Sequence, residues 1–195
     1  MRIGVLSLQG DFIEHIVFLE RLGVQSTLVR KPNELKGLSG LIIPGGESTT
    51  IMHLLHSYDL MKPINELAIH GLPIMGTCAG MILMAKKIAD SDMDTLALMD
   101  MEVKRNAFGR QLDSFEVRLD IPSLGKEPFP AVFIRAPLVK STGPQVELMG
   151  KLNNNSAVVV RQGNLIALAF HPELSNDYRI HRYFLESIVS KYKSK

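Results

Sequence analysis

Residues Leu72 to Lys87 read LPIMGTCAGMILMAKK, and the way this stretch must fold decides the rest of the chain. Pro73-Ile74-Met75 is a short apolar run, Gly76-Thr77-Cys78-Ala79-Gly80 follows it, and Met81 to Ala85 is a run of good helix formers. Strand, tight turn and helix are predicted in that order. A reactive side chain with a glycine two residues to either side has the form of a nucleophile elbow, with cysteine where serine often stands. The glycines let strand and helix come close, which pushes the Cys78 sulfur outward. The first turn of a helix, with its free N–H groups, favours the thiolate. A lone cysteine is more often a small buried hydrophobe. The glycine spacing and the strand-turn-helix setting set this one apart, and its chemistry then requires a base.

Working outward toward the N-terminus, Ile3 to Leu8 is almost continuously apolar, as in a parallel strand covered on both faces. Gln9-Gly10-Asp11 turns the chain into a helix with Phe12, Ile16, Leu19 and Leu22 at helical spacing and Gly23 as its stop. Val24 to Val29 is a second strand and Leu41-Ile42-Ile43 a third. The third runs into Pro44-Gly45-Gly46-Glu47-Ser48-Thr49-Thr50, where Ser48 or Thr49 is expected to cap the next helix. Taken alone this loop reads as a cap and turn, and it lacks the pattern of a phosphate-binding P-loop. It does stand at the carboxyl end of a strand, where open α/β sheets bind ligands. Met61 to His70 forms one more helix before the elbow.

Beyond residue 90 the pattern changes to alternation. Asp113 to Ile121, Ala131 to Ile134, and Ala157 to Arg161 with Leu165 to Phe170 around Gln162-Gly163-Asn164 read as antiparallel strands that extend the sheet. Arg105 to Gln111 is a polar loop with two arginines, either solvated or a carboxylate clamp. The last strand ends in Phe170-His171-Pro172-Glu173, where Pro172 constrains the histidine before it and Glu173 is near enough to orient the ring. A closing helix over about Asp177 to Ser190 presents Ile180, Tyr183, Phe184 and Ile188 on one face. His15, His53, His56, His70 and His181 fall on predicted helices and are expected at the surface.

Composition narrows the function. The 195 residues, 46% hydrophobic and 22% charged, suit one globular domain over residues 1–195, and a net charge of +2 gives no basis for nucleic-acid binding. No uncharged apolar run approaches the ~18 residues of a membrane span. Residues 1–10 carry no signal-peptide pattern, so the expected location is cytoplasmic. One cysteine allows no internal disulfide and no cysteine-based zinc cage. Cys78 and His171 both follow strands whose carboxyl ends share one edge of a parallel sheet. With Glu173 they compose a candidate Cys-His-Glu triad of nucleophile, general acid/base and orienter.

GTCAG at 76–80 with His171-Pro172-Glu173 resembles the class I glutamine amidotransferases. The PGGEST loop at 44–49, Arg105-Asn106, Gly109-Arg110-Gln111, Ser114-Phe115-Glu116 and Phe133 to Pro137 are similar, more narrowly, to the glutaminase-subunit family of pyridoxal phosphate synthase. The likeness spans essentially the whole chain. It implies a flavodoxin-like three-layer α/β fold, with an open, mixed, mostly parallel sheet and helices on both faces. It further implies hydrolysis of L-glutamine to glutamate and ammonia through a glutamyl thioester. By the resemblance, Gly46 and Ala79 N–H groups form the oxyanion hole and Gly46, Glu47, Ser48, Arg105, Ile134 and Arg135 bind glutamine. It implies no metal or organic cofactor, and a partner synthase subunit that takes the ammonia into pyridoxal 5'-phosphate. The glutaminase of imidazole glycerol phosphate synthase shares the elbow and HPE but is disfavoured by GGEST, GRQ and IRAP. A non-catalytic regulatory subunit of the same fold is disfavoured by the intact Cys78, His171 and Glu173.

Overall fold

The computed structural model describes residues 1–107 and 114–193. Strands β1 (Arg2–Leu6), β2 (Gln25–Val29), β3 (Gly40–Ile43), β4 (Ile74–Thr77) and β12 (Leu165–Leu168) run parallel. Strands β11 (Ala157–Gln162) and β10 (Glu147–Lys151) continue the sheet antiparallel, in the order β10-β11-β12-β4-β3-β1-β2. Every residue of β3, β4 and β12 is buried. Successive side chains on a strand point to opposite faces, so both faces of the sheet centre are covered. That is why these segments read as unbroken apolar runs rather than alternations. The edge strand β2 is partly exposed, and its run is correspondingly mixed.

Helices α1 (Phe12–Arg21), α2 (Ser48–Ser57), α3 (Met61–Ile69) and α4 (Ala79–Met84) supply the crossovers of the parallel part. Helix α1 stops before Gly23, whose φ of 69° continues no helix. The closing helix begins at α5 (Arg179–Tyr183), passes through a π turn over Phe184–Val189 and ends as α6 (Ser190–Lys193). Ile180, Phe184 and Ile188 are buried along it, as their spacing anticipated.

Two expectations are corrected. Of the strands after residue 90, only β10, β11 and β12 join the main sheet, and β12 runs parallel to β4 rather than antiparallel. Strands β5 (Ala85–Ile88), β6 (Met99–Lys104) and β9 (Leu138–Thr142) form a separate three-stranded sheet, and β7 (Ser114–Leu119) pairs with β8 (Phe129–Ile134) as a two-stranded ribbon. Alternation specifies a half-buried strand but not the sheet it joins. The helix α2 is capped by Glu47, not by Ser48 or Thr49: the Glu47 carboxylate accepts from the N–H groups of Thr49 and Thr50, and Ser48 is the first helical residue. Gly109-Arg110-Gln111 and the residue Asp113 lie outside the described residues.

The parallel topology brings the site together. Neighbouring strands β12, β4, β3 and β1 end side by side, with Leu168 beside Thr77 and Ile43 beside Gly76. The chain leaves these four ends through His171, Cys78, Gly45-Gly46 and Gln9-Gly10-Asp11. The ribbon braces the first of them: the His171 N–H donates to the Val132 carbonyl at 2.8 Å, and Phe129 and Phe133 pack on Phe170 with ring centroids 5.7 and 5.4 Å away.

Candidate active site

Cys78 sits between β4 and α4 with φ 48° and ψ −104°, a conformation that L residues seldom adopt. The strain is stabilised by neighbours on both sides. Its N–H donates to the Leu168 carbonyl at 2.8 Å and its own carbonyl accepts from Met81 N–H at 3.0 Å, so strand and helix hold the turn. Gly80 permits the helix to approach β3, since a Cβ there would collide with the Ile43 carbonyl oxygen. The thiol faces the Ile134 carbonyl at 3.7 Å.

His171 reaches the same place from β12. Its Nδ1 donates to Glu173 Oε1 at 2.8 Å, and Asp11 Oδ2 stands 3.3 Å from that nitrogen. The imidazole packs against Gly45, where any side chain would occupy the space of the ring. Burial opposes charging of this ring, but hydrogen bonds with Asp11, Cys78 and Glu173 outweigh it and push the imidazolium up to about 12. Burial pushes the Glu173 carboxyl up, and the hydrogen bond and positive charge of His171 pull it back. The bond to His171 holds Asp11 below the usual carboxylate range. The arrangement holds a charged imidazolium beside the cysteine sulfur, the neighbour that a cysteine-histidine couple requires.

A cavity of about 380 Å³ opens over Cys78 and His171. Of the residues singled out in the sequence, it brings together Cys78, His171, Gly46, Ala79, Glu47, Ser48, Arg105, Ile134 and Arg135. Glu173 lies behind His171, buried, as an orienting group must. Arg105 Nε is buried with no hydrogen-bond partner among the described residues, a donor left for an anionic group in the cavity. The carboxylate of Glu47 also receives both hydroxyls of Thr49 and Thr50. With the bond from Thr49 foremost, these donors hold it down to about 2.

Asp11, His171 and Glu173 are the one group of potential metal ligands among the described residues, their ligand atoms within 4.8 Å of one another. A cation there would compete for the His171 nitrogen that bridges the two carboxylates.

The histidine expectation is overturned for two of the five. His53, His56 and His70 lie at the surface, but His15 is 0% and His181 1% exposed. His15 Nδ1 and His181 Nε2 are 2.9 Å apart, and His15 Nε2 faces Glu173 Oε2 at 3.4 Å and Thr77 Oγ1 at 3.3 Å. A histidine between apolar neighbours at helical spacing carries little signal of its own. The one available signal is that His15 stands one helical turn after Phe12 and one before Leu19, the stripe that meets the sheet. Asp11, the second carboxylate on His171, sits in a segment whose sequence signals only a turn.

Residues 5–190 match the model of a family described as the SNO glutamine amidotransferase family. The chain belongs to that family. Its relatives in the SNO family resemble it over nearly their whole length. It is 57% identical to the pyridoxal 5'-phosphate synthase subunit PdxT of Moorella thermoacetica over 96% of this chain and 100% of that one. It is also 57% identical to the protein of the same name from Dehalococcoides mccartyi over 99% and 100%. A solved structure described as a glutamine amidotransferase superposes with a TM-score of 0.91 at 45% identity, covering 96% of this chain and 98% of that one. The PurLQS structure from Thermotoga maritima, 16% identical with a TM-score of 0.72 over 95% and 98% of the two chains, shares the fold.

Proposed function

We propose that this chain is the glutaminase subunit of a pyridoxal 5'-phosphate synthase, hydrolysing L-glutamine through Cys78, His171 and Glu173. The observation that carries the reading is the meeting of a strained Cys78, a doubly carboxylate-bonded His171 and an unpaired Arg105 Nε around one cavity. Membership of the SNO family and the PdxT relatives support the substrate and the partner.

The Cys78 thiolate attacks the side-chain carboxamide carbon of glutamine. Negative charge develops on its oxygen, and the N–H groups of Gly46 and Ala79 receive it; losing one such donor typically slows acyl transfer about 10²–10³-fold. The His171 imidazolium gives its proton to the departing nitrogen, leaving a glutamyl thioester and ammonia. Neutral His171 then takes a proton from water as it attacks the thioester, and glutamate leaves as the thiolate reforms. Glu173 holds the ring in the tautomer that both steps need. Arg105 receives the substrate α-carboxylate, Glu47 its ammonium, and Ser48, Ile134 and Arg135 complete the wall. The chemistry requires no metal or organic cofactor.

Ammonia released into water would be protonated and lost as a nucleophile. Its direct passage to a synthase subunit is the reason for a complex. The whole of residues 1–195 acts as one glutaminase domain, supported by a single core cluster that runs from Ile3 to Val189. No helix among the described residues is long and apolar enough to cross a membrane. A cytoplasmic location suits a nucleophile that must stay a free thiol, because reducing conditions there protect Cys78 from oxidation.

The test is glutamate release by the purified chain, alone and mixed with a pyridoxal phosphate synthase subunit, beside Cys78→Ala. Release that rises on mixing and vanishes in the variant is expected. No release even with that partner would reject the reading.

A further inference from the structure

We propose that His15 is a positioning residue for the glutaminase reaction, the second member of a buried line of side chains, His181–His15–Glu173–His171–Cys78, that fixes the Glu173 carboxylate from behind. The inference rests on the triad reading above and extends it by two residues from α1 and the closing helix.

The heavy-atom positions select one arrangement of protons. Glu173 Oε1 receives the His171 Nδ1–H at 2.8 Å, while Oε2 is buried with no full hydrogen bond. The group that faces Oε2 is His15 Nε2, at 3.4 Å. A carboxylate oxygen only accepts, so this nitrogen must carry the proton, shared with Thr77 Oγ1 at 3.3 Å. A neutral His15 then has a bare Nδ1, which accepts from His181 Nε2 at 2.9 Å. His181 keeps a bare Nδ1, the atom left without a partner. The opposite set would turn a lone pair toward the carboxylate and strand a buried N–H, the costlier orphan. Burial, which holds both rings below their ordinary range, keeps them in the neutral forms this set needs.

Every donor in the favoured set points toward Glu173. The line therefore does for the carboxylate what the carboxylate does for His171. Without the Nε2–H, Glu173 Oε2 would be a buried charge with an unfilled acceptor, and the carboxyl would take up a proton more readily. A protonated Glu173 no longer stabilises the imidazolium, and the Cys78 thiolate loses its counter-charge. Loss of His15 is thus transmitted to the sulfur through two intermediates, with no contact to glutamine.

The chain has one cysteine, so thiol alkylation reads Cys78 alone. Full-length wild type, Cys78→Ala, His15→Leu and His15→Gln are compared in two measurements. These are iodoacetamide reactivity from pH 5 to 10 on the chain itself, and steady-state glutamate release with the pyridoxal phosphate synthase subunit present. Glutamine at this position places an amide N–H where Nε2–H stood. The expected result for His15→Leu is a kcat lower by roughly 10- to 100-fold, as when the partner of an oriented group is removed, with KM unchanged. Its alkylation midpoint moves to higher pH, and His15→Gln recovers most of both losses. Wild-type kcat and alkylation midpoint in His15→Leu would overturn the proposal. So would equal losses in His15→Leu and His15→Gln accompanied by equal falls in melting temperature, which is packing alone. Turnover persisting in Cys78→Ala would instead remove the triad reading, and this inference with it.

Discussion

The Asp11 carboxylate stands 3.3 Å from His171 Nδ1, the nitrogen that Glu173 engages at 2.8 Å. Two carboxylates therefore share one imidazole, one buried and one at the cavity rim. Glu173 is fixed by its surroundings, whereas Asp11 is partly open to solvent, which screens it. Its hydrogen bond is foremost among those that raise the imidazolium, yet solvent screening weakens what that bond contributes. Asp11→Asn is expected to lower kcat/KM for glutamine about two- to fivefold, the ~0.5–1 kcal/mol of a screened pair, against a near-complete loss in Glu173→Ala. Steady-state kinetics of both variants beside wild type checks the ranking. An Asp11→Asn loss as large as that of Glu173→Ala would make the rim carboxylate the principal orienter.

Gly80 is the residue on which the elbow closes. A methyl group there meets the Ile43 carbonyl oxygen, which belongs to the backbone of β3 and cannot turn aside. Gly80→Ala is expected to destabilise the chain by about 1–3 kcal/mol, the cost of overpacking a filled interior. Urea unfolding measures it. Unchanged stability would mean that α4 can slide away from β3, and thiol reactivity of Cys78 would then report whether the elbow moved with it.

The parts of this molecule legible in the sequence were those with a local cause. The elbow needs glycine on both sides of Cys78, and Pro172 restricts His171, so near neighbours in the chain suffice to place both. The central strands β3, β4 and β12 carry continuous apolar runs because both of their faces are covered. What escaped depended on partners distant along the chain. His15 and His181 are 166 positions apart and meet through one hydrogen bond, a partnership that no pattern local to either residue announces. The strands after residue 90 show the right alternation, but which sheet each one joins is settled by pairing across long separations. Glu47 displaced Ser48 as the cap because its longer side chain reaches two N–H groups and two hydroxyls at once.

That cap constrains what Glu47 can do for a substrate. Its carboxylate is already bound to four donors of α2, and these hold it ionised down to about pH 2. It can still attract an ammonium, but it cannot swing toward one without releasing the helix. Glu47→Gln keeps an acceptor for the cap and removes the charge; a KM for glutamine raised about tenfold with stability nearly unchanged is expected, the loss of one charge-assisted hydrogen bond. Glu47→Ala removes the cap as well and costs about 1 kcal/mol of stability. Kinetics and urea unfolding on the two variants separate the roles. A KM unaffected in Glu47→Gln would leave this residue a helix cap only.

His181 is held below the ordinary histidine range, to about 3, because burial penalises its charged form. Its neighbours in the interior are His15, also neutral, with Glu173 and His171 beyond it. In the unfolded chain the same ring titrates near 6.5. Above that pH neither state binds the proton and the full stability is present. As pH falls from 6.5 toward 3, the unfolded chain takes up a proton that the folded chain refuses, so stability is lost on the acid side at about 1.4 kcal/mol per pH unit for this ring. Glu173, raised by burial, works in the opposite sense over part of that range, which makes the comparison between proteins more telling than either curve. Urea unfolding of wild type and His181→Leu between pH 5.0 and 6.5 is expected to give a variant whose stability falls less steeply with acid, by about that amount per unit. Parallel curves would mean that His181 accepts its proton in the folded chain, and that the closing helix opens enough to hydrate it.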